Sequence, residues 1–566
     1  VRMRRALTAT SPEGKHSLAK GSEPCDILLI QPPIQDFYLT AKRTLPYGLI
    51  TIAAVLQDKG YRVAILDGLA RGKSRPAPLP PELGYLEALY ASADLSPFGL
   101  FHQYRHYGYA LTTIAEKASR SGAFLIGIAS LFSAYEDMAL ECARSVKSMC
   151  PDARIVLGGH HPTQFPDRVL DHPAVDFVLR GDGEAGLPVL ADRLREKGPL
   201  ASVPGIAYDR KNGERCIRAP AYVDYLDQLP TPATELVKTR YYRRMGGDTL
   251  VIAASRGCPM HCSYCCMGAH TGIPYRRRSV NHVMQEIRHA ARGRHIGLID
   301  FEDENLSMDR GWFERLLTEI ILFFGDRPPE LRAMNGIYPP TLNRNLIARM
   351  RKAGFRELNL SLGSCDKDQT RRFRRPYVRD AFDRVLAWAE ELDLSAVGYI
   401  IAGAPDQDPH SSIRDLLFLA SRRVLVGLSI YYPAPASWDF AYCHKTGMLP
   451  SSPLCWRSTA LSLDRMTRCN ASLTLLRLSR LLNFMKQCMD KDGFLPPPEP
   501  FPNHKPVIAP NRHEMGRQLL GWFLEDGIIR GLGQHGEIVN HITDNQLTQS
   551  FLEGLREISI RGARSR

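Results

Sequence analysis

Short apolar runs alternate with helical stretches along most of this chain, and that alternation leaves few folds open. Residues 26–30, 61–66, 124–130, 154–157 and 175–179 read as strands, with helices expected at 47–59 and 134–148. Turn signals close the runs: Gln31-Pro-Pro, then Asp67-Gly68, Gly158-Gly159 and Arg180-Gly-Asp-Gly-Glu. Parallel strands need a crossover, usually a helix, so this pattern predicts an α/β fold with an open, Rossmann-like parallel sheet. Such sheets bind ligands outside the carboxyl ends of their strands. A second series follows at 249–254, 295–301, 330–334, 357–362, 396–401 and 427–432, with helices between. Its six β/α units fit a partial (β/α)6 TIM-like barrel, whose chemistry belongs on the loops at the carboxyl ends of the strands.

The loop after the first strand of that second series holds Cys258, Cys262 and Cys265, spaced C-x3-C-x2-C. Soft thiolates suit iron–sulfur clusters and zinc. A structural zinc site closes with four protein ligands. His261 lies inside the loop and could complete such a site, whereas Cys266, adjacent to Cys265, is a poor ligand for the same centre. A cubane held by three cysteines keeps one iron open to a small molecule. The triplet therefore reads as a reactive site rather than a structural one.

The chain has 566 residues, enough for two or three domains. Five segments are expected: a mobile tail at 1–22, a first domain at 23–200, a proline-bearing linker at 201–247, the barrel at 248–440, and a mostly helical part at 441–566. That last part should carry helices at 456–490, 512–525 and 544–556 and pack over the barrel mouth. Its Cys443, Cys455, Cys469 and Cys488 are too widely spaced for a second cluster, and Cys365 reads as core filler. No apolar run is long enough to span a bilayer, and the basic start at Val1 lacks the apolar stretch of a secretory signal. Thirteen cysteines with one tight group suggest a reducing cytoplasm. The formal charge of +13 fits nucleic acid, a membrane surface or anionic cofactors. The arginine runs 276–278 and 371–375 read as solvated faces or as holders of carboxylates and phosphates.

The segment Ser255-Arg-Gly-Cys-Pro-Met-His-Cys-Ser-Tyr-Cys resembles the radical S-adenosylmethionine (SAM) superfamily. Gln31-Pro-Pro, the Gly-Gly-His-His-Pro-Thr at 158–163 and the Arg-Gly-Asp-Gly-Glu at 180–184 resemble the cobalamin-binding domain fused ahead of many such enzymes. The resemblance covers roughly residues 25–440. It implies a 4Fe–4S cluster on Cys258, Cys262 and Cys265, with SAM on the open iron and Tyr264 near the adenine. It places Asp303 and Glu304 by the SAM amino group, Ser361 by the ribose or carboxylate, and Gly403 by the adenine. The nucleotide tail of cobalamin would lie on Ser130, Leu131, Gly158 and Gly159. The Asp-x-His-x-x-Gly that supplies a cobalt ligand in other cobalamin domains is absent after the first strand, so no histidine is expected below cobalt. His160 and His161 then serve tail contacts or packing.

The implied function is methylation of an unactivated carbon in a small-molecule or natural-product substrate, with electrons from a donor such as flavodoxin or ferredoxin. Nucleic acid is not an expected partner. The same architecture also serves radical cyclisation or rearrangement without methyl transfer. A tRNA methylthiotransferase would need three cluster cysteines in the first domain, where Cys25, Cys142 and Cys150 have unsuitable spacing. A non-enzymatic cobalamin or redox sensor would not turn SAM over. The resemblance points to no catalytic side chain.

Overall fold

The computed structural model describes residues 24–38, 45–71, 74–90, 93–101, 103–210, 213–467 and 470–563. The tail expected at 1–22, and Cys469, lie outside the described residues.

The first domain is built on strands β1 (Ile27–Gln31), β2 (Val63–Asp67), β3 (Leu125–Ala129), β4 (Arg154–Gly158) and β5 (Phe177–Leu179). These run parallel in the order β2-β1-β3-β4-β5. The order reverses between β1 and β3, which opens a crevice at the carboxyl edge. Strand β1 is apolar throughout because both its faces are covered. Ile27 and Leu29 pack with helices α1 (Tyr47–Asp58) and α4 (Gly183–Glu196). Leu28 and Ile30 pack with α2 (Leu111–Ser121) and α3 (Glu136–Met149) on the other face. Residues expected to be linker extend this sheet instead: β6 (Ile206–Asp209) pairs antiparallel with β5, and β7 (Arg215–Ile217) pairs antiparallel with β6. Asn212-Gly213 in the sequence between them is a hairpin signal.

An insertion between β2 and β3 leaves the sheet. Its strands Ser74–Pro76 and Arg105–Tyr107 pair with Ile34–Asp36. Leu83, Leu86, Tyr90 and Phe98 join the core of the rest of the molecule, with Phe98 edge-on to Phe484 at 5.4 Å.

The second domain has six parallel strands in two halves. One half is β8 (Asp248–Ile252), β9 (Ile296–Phe301) and β10 (Glu330–Arg332). The other is β11 (Glu357–Gly363), β12 (Ser395–Ala402) and β13 (Leu425–Ile430). Single bridges at Leu331–Phe355 and Ile337–Leu360 join the halves. Among the described residues no strand pairing closes the ring between β8 and β13. The arrangement is thus the partial barrel expected from six β/α units. Its helices are α5 (Val280–Ala290), α6 (Arg310–Phe324), α7 (Arg344–Ala353), α8 (Lys367–Arg372), α9 (Arg379–Glu391) and α10 (Pro409–Ala420). Ser279, Asp309, Asn343, Asp366 and Asp408 cap five of these by accepting backbone N–H bonds.

Helix α11 (Trp438–Lys445) follows the last strand, and α12 (Ala471–Lys491), α13 (Arg512–Asp526) and α14 (Asn545–Arg556) make the C-terminal part. A short hairpin, Arg530–Leu532 with Ile538–Asn540, interrupts the helices. Helix α12 is fixed by Lys486, whose ammonium donates to the carbonyls of Ala420, Arg422 and Arg561 at 2.7–3.1 Å. Among the described residues no helix is long and apolar enough to cross a membrane.

Candidate active site

The cysteine loop leaves the carboxyl end of β8 and is pinched at its base. Ser255–Arg256 pairs antiparallel with Arg276–Arg277. Within the pinch, Cys258 bridges to Gly268, and its N–H donates to the Met267 carbonyl at 3.0 Å. Gly268 is required there: a β-carbon would fall 2.7 Å from the Met260 carbonyl oxygen. Cys258 and Cys262 are buried and Cys265 half-buried. The Met267 N–H donates to the Cys265 sulfur at 3.3 Å.

The donor set fits a cluster better than a single small ion. A tetrahedral zinc with Zn–S of ~2.3 Å holds its sulfurs roughly 3.8 Å apart. Among the described residues, three such ligand atoms all within 4.8 Å of one another occur only at Cys488, Asp492 and His513. The triplet is therefore spread more widely than zinc would draw it. The Cys488 group is itself closed by Arg517, 2.8 Å from the Asp492 carboxylate that His513 also meets. Burial, then the charge of Cys262, pushes the Cys258 thiol up; burial does the same at Cys265. Thiolates at these positions need a cationic centre. Cys266, next along, is also raised, to about 11, by burial and then the Glu304 carboxylate.

The carboxylates expected after the second barrel strand divide in two. Asp303 is buried and spent inside the protein: it accepts from the Ala254 N–H at 3.0 Å and the Ser255 hydroxyl at 2.5 Å. It holds the entry to the cysteine loop rather than facing a ligand. Glu304 instead lies near enough for its charge to act on Cys258, Cys265 and Cys266. Burial, then the charges of Asp303 and Glu302, raises its carboxyl to about 7. Its charge also reaches Tyr432.

Tyr264 stands edge-on to Phe373 at 5.1 Å, with its hydroxyl 3.4 Å from Arg375. Ser361 meets the same arginine: one guanidinium nitrogen donates to its carbonyl and its hydroxyl, each at 2.9 Å. Arg375 also reaches the Cys262 sulfur at 3.7 Å and lies over the Tyr338 ring. Its Nε is buried without a partner. Sequence reasoning missed this residue. The signal was the arginine run 371–375, but nothing in the run tells which member turns inward. Gly403 adopts the left-handed region, φ +73°, and a β-carbon there would meet the Ser472 hydroxyl at 2.3 Å. That face of the glycine is packed against α12.

The four residues expected to hold cobalamin do come together. Ser130 and Leu131 follow β3, and Gly158–Gly159 ends β4; Ser130 N–H donates to the Gly158 carbonyl at 2.8 Å. Gly159 has φ +123°, and a β-carbon would lie 2.5 Å from the Ser130 carbonyl oxygen. The Ser130 hydroxyl is buried and unpartnered, while Leu131 and Phe132 are each 52% exposed. An unpartnered buried hydroxyl beside exposed apolar side chains suits a large ligand with a polar tail. His161 is not part of this group. Its ring meets the Ser133 hydroxyl at 3.0 Å and lies 3.2 Å from the Glu136 carboxylate, and burial lowers it to about 4, so it is neutral packing.

Ion pairs lock this domain to the cysteine loop. Arg256, from the pinch, meets Asp182 at 3.3 Å and Glu184 at 2.7 Å. Arg276, its neighbour across the pinch, meets Asp182 at 2.5 Å. Glu184 also accepts from Thr51 at 2.7 Å. Arg278 is buried against Glu286 at 2.5 Å. The 276–278 run thus holds carboxylates, one of the two readings its sequence allowed.

A family model for the radical SAM superfamily matches residues 252–419, and one for the B12 binding domain matches residues 99–191. Cytidylyl-2-hydroxyethylphosphonate methyltransferase of Streptomyces wedmorensis is 24% identical over 411 residues, 67% of this chain and 73% of that protein. The anaerobic magnesium-protoporphyrin IX monomethyl ester cyclase of Synechocystis sp. is 26% identical over 309 residues, 52% of each chain. The methyltransferase TsrM from Kitasatospora setae, solved with cobalamin and a [4Fe-4S] cluster bound, shares the fold with a TM-score of 0.54, 17% identity and 74% of each chain covered. The cofactors of these two domains are a 4Fe–4S cluster with SAM, and cobalamin. The cysteine loop on its partial barrel thus lies in a radical SAM superfamily domain, residues 252–419, and the glycine-rimmed α/β domain locked against it carries a B12 binding domain, residues 99–191.

Proposed function

We propose that this enzyme methylates an unactivated carbon of a small molecule. The observation that carries the reading is the lock between Arg256, Arg276, Asp182 and Glu184. It ties the loop at the carboxyl end of β8 to the loop at the carboxyl end of β5. That brings the carboxyl edge of each sheet, where its cofactor would bind, to the same side of the domain contact. When bound, the cluster with SAM supplies a hydrogen-abstracting radical, and cobalamin supplies a methyl group.

The chain's own residues position and shield. Cys258, Cys262 and Cys265 hold the cluster, and Asp303 holds the loop that presents them. Arg375 offers its buried, unpartnered Nε–H to the SAM carboxylate. Glu304, close to the sulfurs, takes the SAM amino group, and an ammonium beside it restores its ionised form. Tyr264 and Phe373 make an apolar wall for the adenine. Ser130 and Gly158–Gly159 receive the cobalamin tail. All described cysteines are free, which accords with a reducing cytoplasm, and the electron comes from a separate carrier.

Anaerobic incubation of the reconstituted protein with reductant, SAM and candidate substrates tests this. Formation of 5′-deoxyadenosine together with S-adenosylhomocysteine is expected, and both should vanish in Cys262→Ala. The likeness to the Synechocystis cyclase favours a second reading, radical chemistry without methyl transfer. Deoxyadenosine without S-adenosylhomocysteine would select it. Neither product with any substrate would overturn both.

A further inference from the structure

The loops at the crevice between β1 and β3 share a buried chain of hydroxyls that no assignment above uses. Asp36, past the end of β1, is fully buried. Its carboxylate accepts from the Phe37 N–H, the Thr459 hydroxyl and the Tyr135 hydroxyl, each at 2.7 Å. Arg457 lies 3.3 Å from that carboxylate. The same guanidinium donates to the Gln35 carbonyl at 2.8 Å and the Ala134 carbonyl at 2.7 Å, so it ties the loop after β1 to the loop after β3. Tyr135 carries the chain onward: its hydroxyl lies 3.0 Å from that of Tyr38.

The three groups set the direction of the chain. A carboxylate paired with arginine only accepts, and a phenol has one proton to give. Tyr135 gives its proton to Asp36, so Tyr38 gives its own to Tyr135. What the Tyr38 oxygen then offers to any further group is a lone pair. Burial, then the Asp36 charge, raises both phenols, so both stay neutral.

Tyr38 is the outer end of the chain. Asp36 and Arg457 are buried, whereas Tyr38 is only half-buried. The Tyr107 hydroxyl donates to its carbonyl and fixes its backbone. Phe132, exposed two residues past Ser130, is edge-on to Tyr135 at 6.1 Å. On another side Tyr432, an exposed residue just past β13, is near enough to act on Tyr38. Tyr38 therefore lies between the site for the cobalamin tail and the edge of the barrel. The segment Asp36-Phe-Tyr38 also keeps the aspartate of the Asp-x-His pattern and has tyrosine in its histidine position.

We propose that Tyr38 stands at the lower face of bound cobalamin and holds a water on the cobalt there, in the place of a ligand side chain. The water donates to the Tyr38 oxygen, which the chain through Tyr135 to Asp36 fixes as an acceptor. A neutral phenol binds a metal far more weakly than imidazole, the commonest protein ligand. Cobalt sheds axial ligands as it is reduced, and a water leaves more readily than an imidazole. The chain of hydroxyls thus keeps the lower position filled but easily vacated. The proposal rests on the cobalamin domain and holds whether or not a methyl group is transferred.

The test uses the full chain loaded with cob(II)alamin, without SAM or substrate, and reads its electron paramagnetic resonance. The unaltered protein should show no nitrogen splitting, and its cobalt lines should broaden in water enriched in oxygen-17. Tyr38→Phe removes the acceptor, so cobalamin should still bind but the broadening should be lost. Tyr432→Phe, which removes the neighbouring hydroxyl instead, should keep it. Tyr38→His should place an imidazole nitrogen on the metal, splitting each cobalt line in three, or in two when the histidine carries nitrogen-15. Nitrogen splitting in the unaltered protein, broadening that survives in Tyr38→Phe, or a Tyr38→His protein that binds cobalamin without nitrogen splitting would each overturn the proposal. An unaltered protein that binds no cobalamin would overturn it together with the cofactor assignment.

Discussion

Arg375 is the residue whose removal should separate SAM binding from cluster binding. Its guanidinium is buried, carries two 2.9 Å bonds to Ser361, and touches Tyr264 and the Cys262 sulfur. Two donors are committed to Ser361, and the Nε has no protein partner. A carboxylate brought to that free edge makes a charge-assisted pair. Hydrogen bonds to charged groups contribute about 1.5–3 kcal/mol each. Losing one such pair should therefore weaken SAM binding by roughly 10- to 150-fold, since about 1.4 kcal/mol is tenfold. Arg375→Met removes the planar donor group and the charge. Arg375→Lys keeps the charge but not the planar group, and should fall between them. The assay is SAM affinity by isothermal titration on the cluster-loaded protein, with iron and sulfide content measured on the same sample. If Arg375→Met keeps its cluster and binds SAM within twofold of the unaltered protein, the guanidinium only braces Ser361 and the reasoning fails.

Three other substitutions probe the frame around the site. Arg256→Met leaves Glu184 buried beside Asp182 with its main partner gone, so unfolding free energy should fall by about 3–5 kcal/mol in denaturant titration; restoring it with Glu184→Gln in the same chain would show that the loss came from the stranded charge. Gly159→Ala puts a methyl group 2.5 Å from the Ser130 carbonyl in a left-handed backbone, a strain of about 1–3 kcal/mol; cobalamin affinity should drop at least fivefold while cluster content stays level. Asp415 is buried, and burial raises its carboxyl from 3.8 to about 7. Because the folded state prefers the protonated acid, this stability is present below pH 3.8 and is lost as pH rises towards 7. Between pH 5 and 8 the apo-protein should lose about 3 kcal/mol through this group, and Asp415→Asn should flatten that slope; an unchanged slope would place the pH dependence elsewhere.

The parallel sheet and the partial barrel were legible because burial on both faces leaves a continuous apolar strand, as in Ile27–Gln31, bounded by glycine and proline turns. The cysteine triplet stood out in the sequence because three soft donors in eight residues have few other uses. Contacts between distant segments were not. Asp303 and Glu304 are neighbours in sequence, yet one caps the loop entry and the other acts by its charge on the cysteines. Alternation within a turn decides that, and composition does not record it. Residues 206–217 were read as linker because two short edge strands carry little apolar periodicity. Arg374 and Arg375 differ only in the way a left-handed residue aims them.

The arginine run 276–278 illustrates the same limit. A formal charge of +13 raised nucleic acid as a partner, and in the sequence this run cannot be told from a solvated basic patch. The arginines of the 276–278 run are instead internal: Arg276 and Arg278 are buried, and their carboxylate partners come from the other domain or from α5. Buried ion pairs contribute little net stability compared with apolar packing of the same volume. They do impose direction, because a stranded member is costly and only one docking of the domains satisfies all of them. Asp182 bridges Arg256 and Arg276, and Glu184 ties Arg256 to Thr51 on α1. A sliding interface of leucines would tolerate a shift of several ångströms; this one would not. For the proposed methylation, which would draw on one cofactor held by each domain, fixed separation would matter more than the last few kcal/mol of stability. That is a physical reason for the arginines and carboxylates that accompany the apolar contacts where the two domains meet.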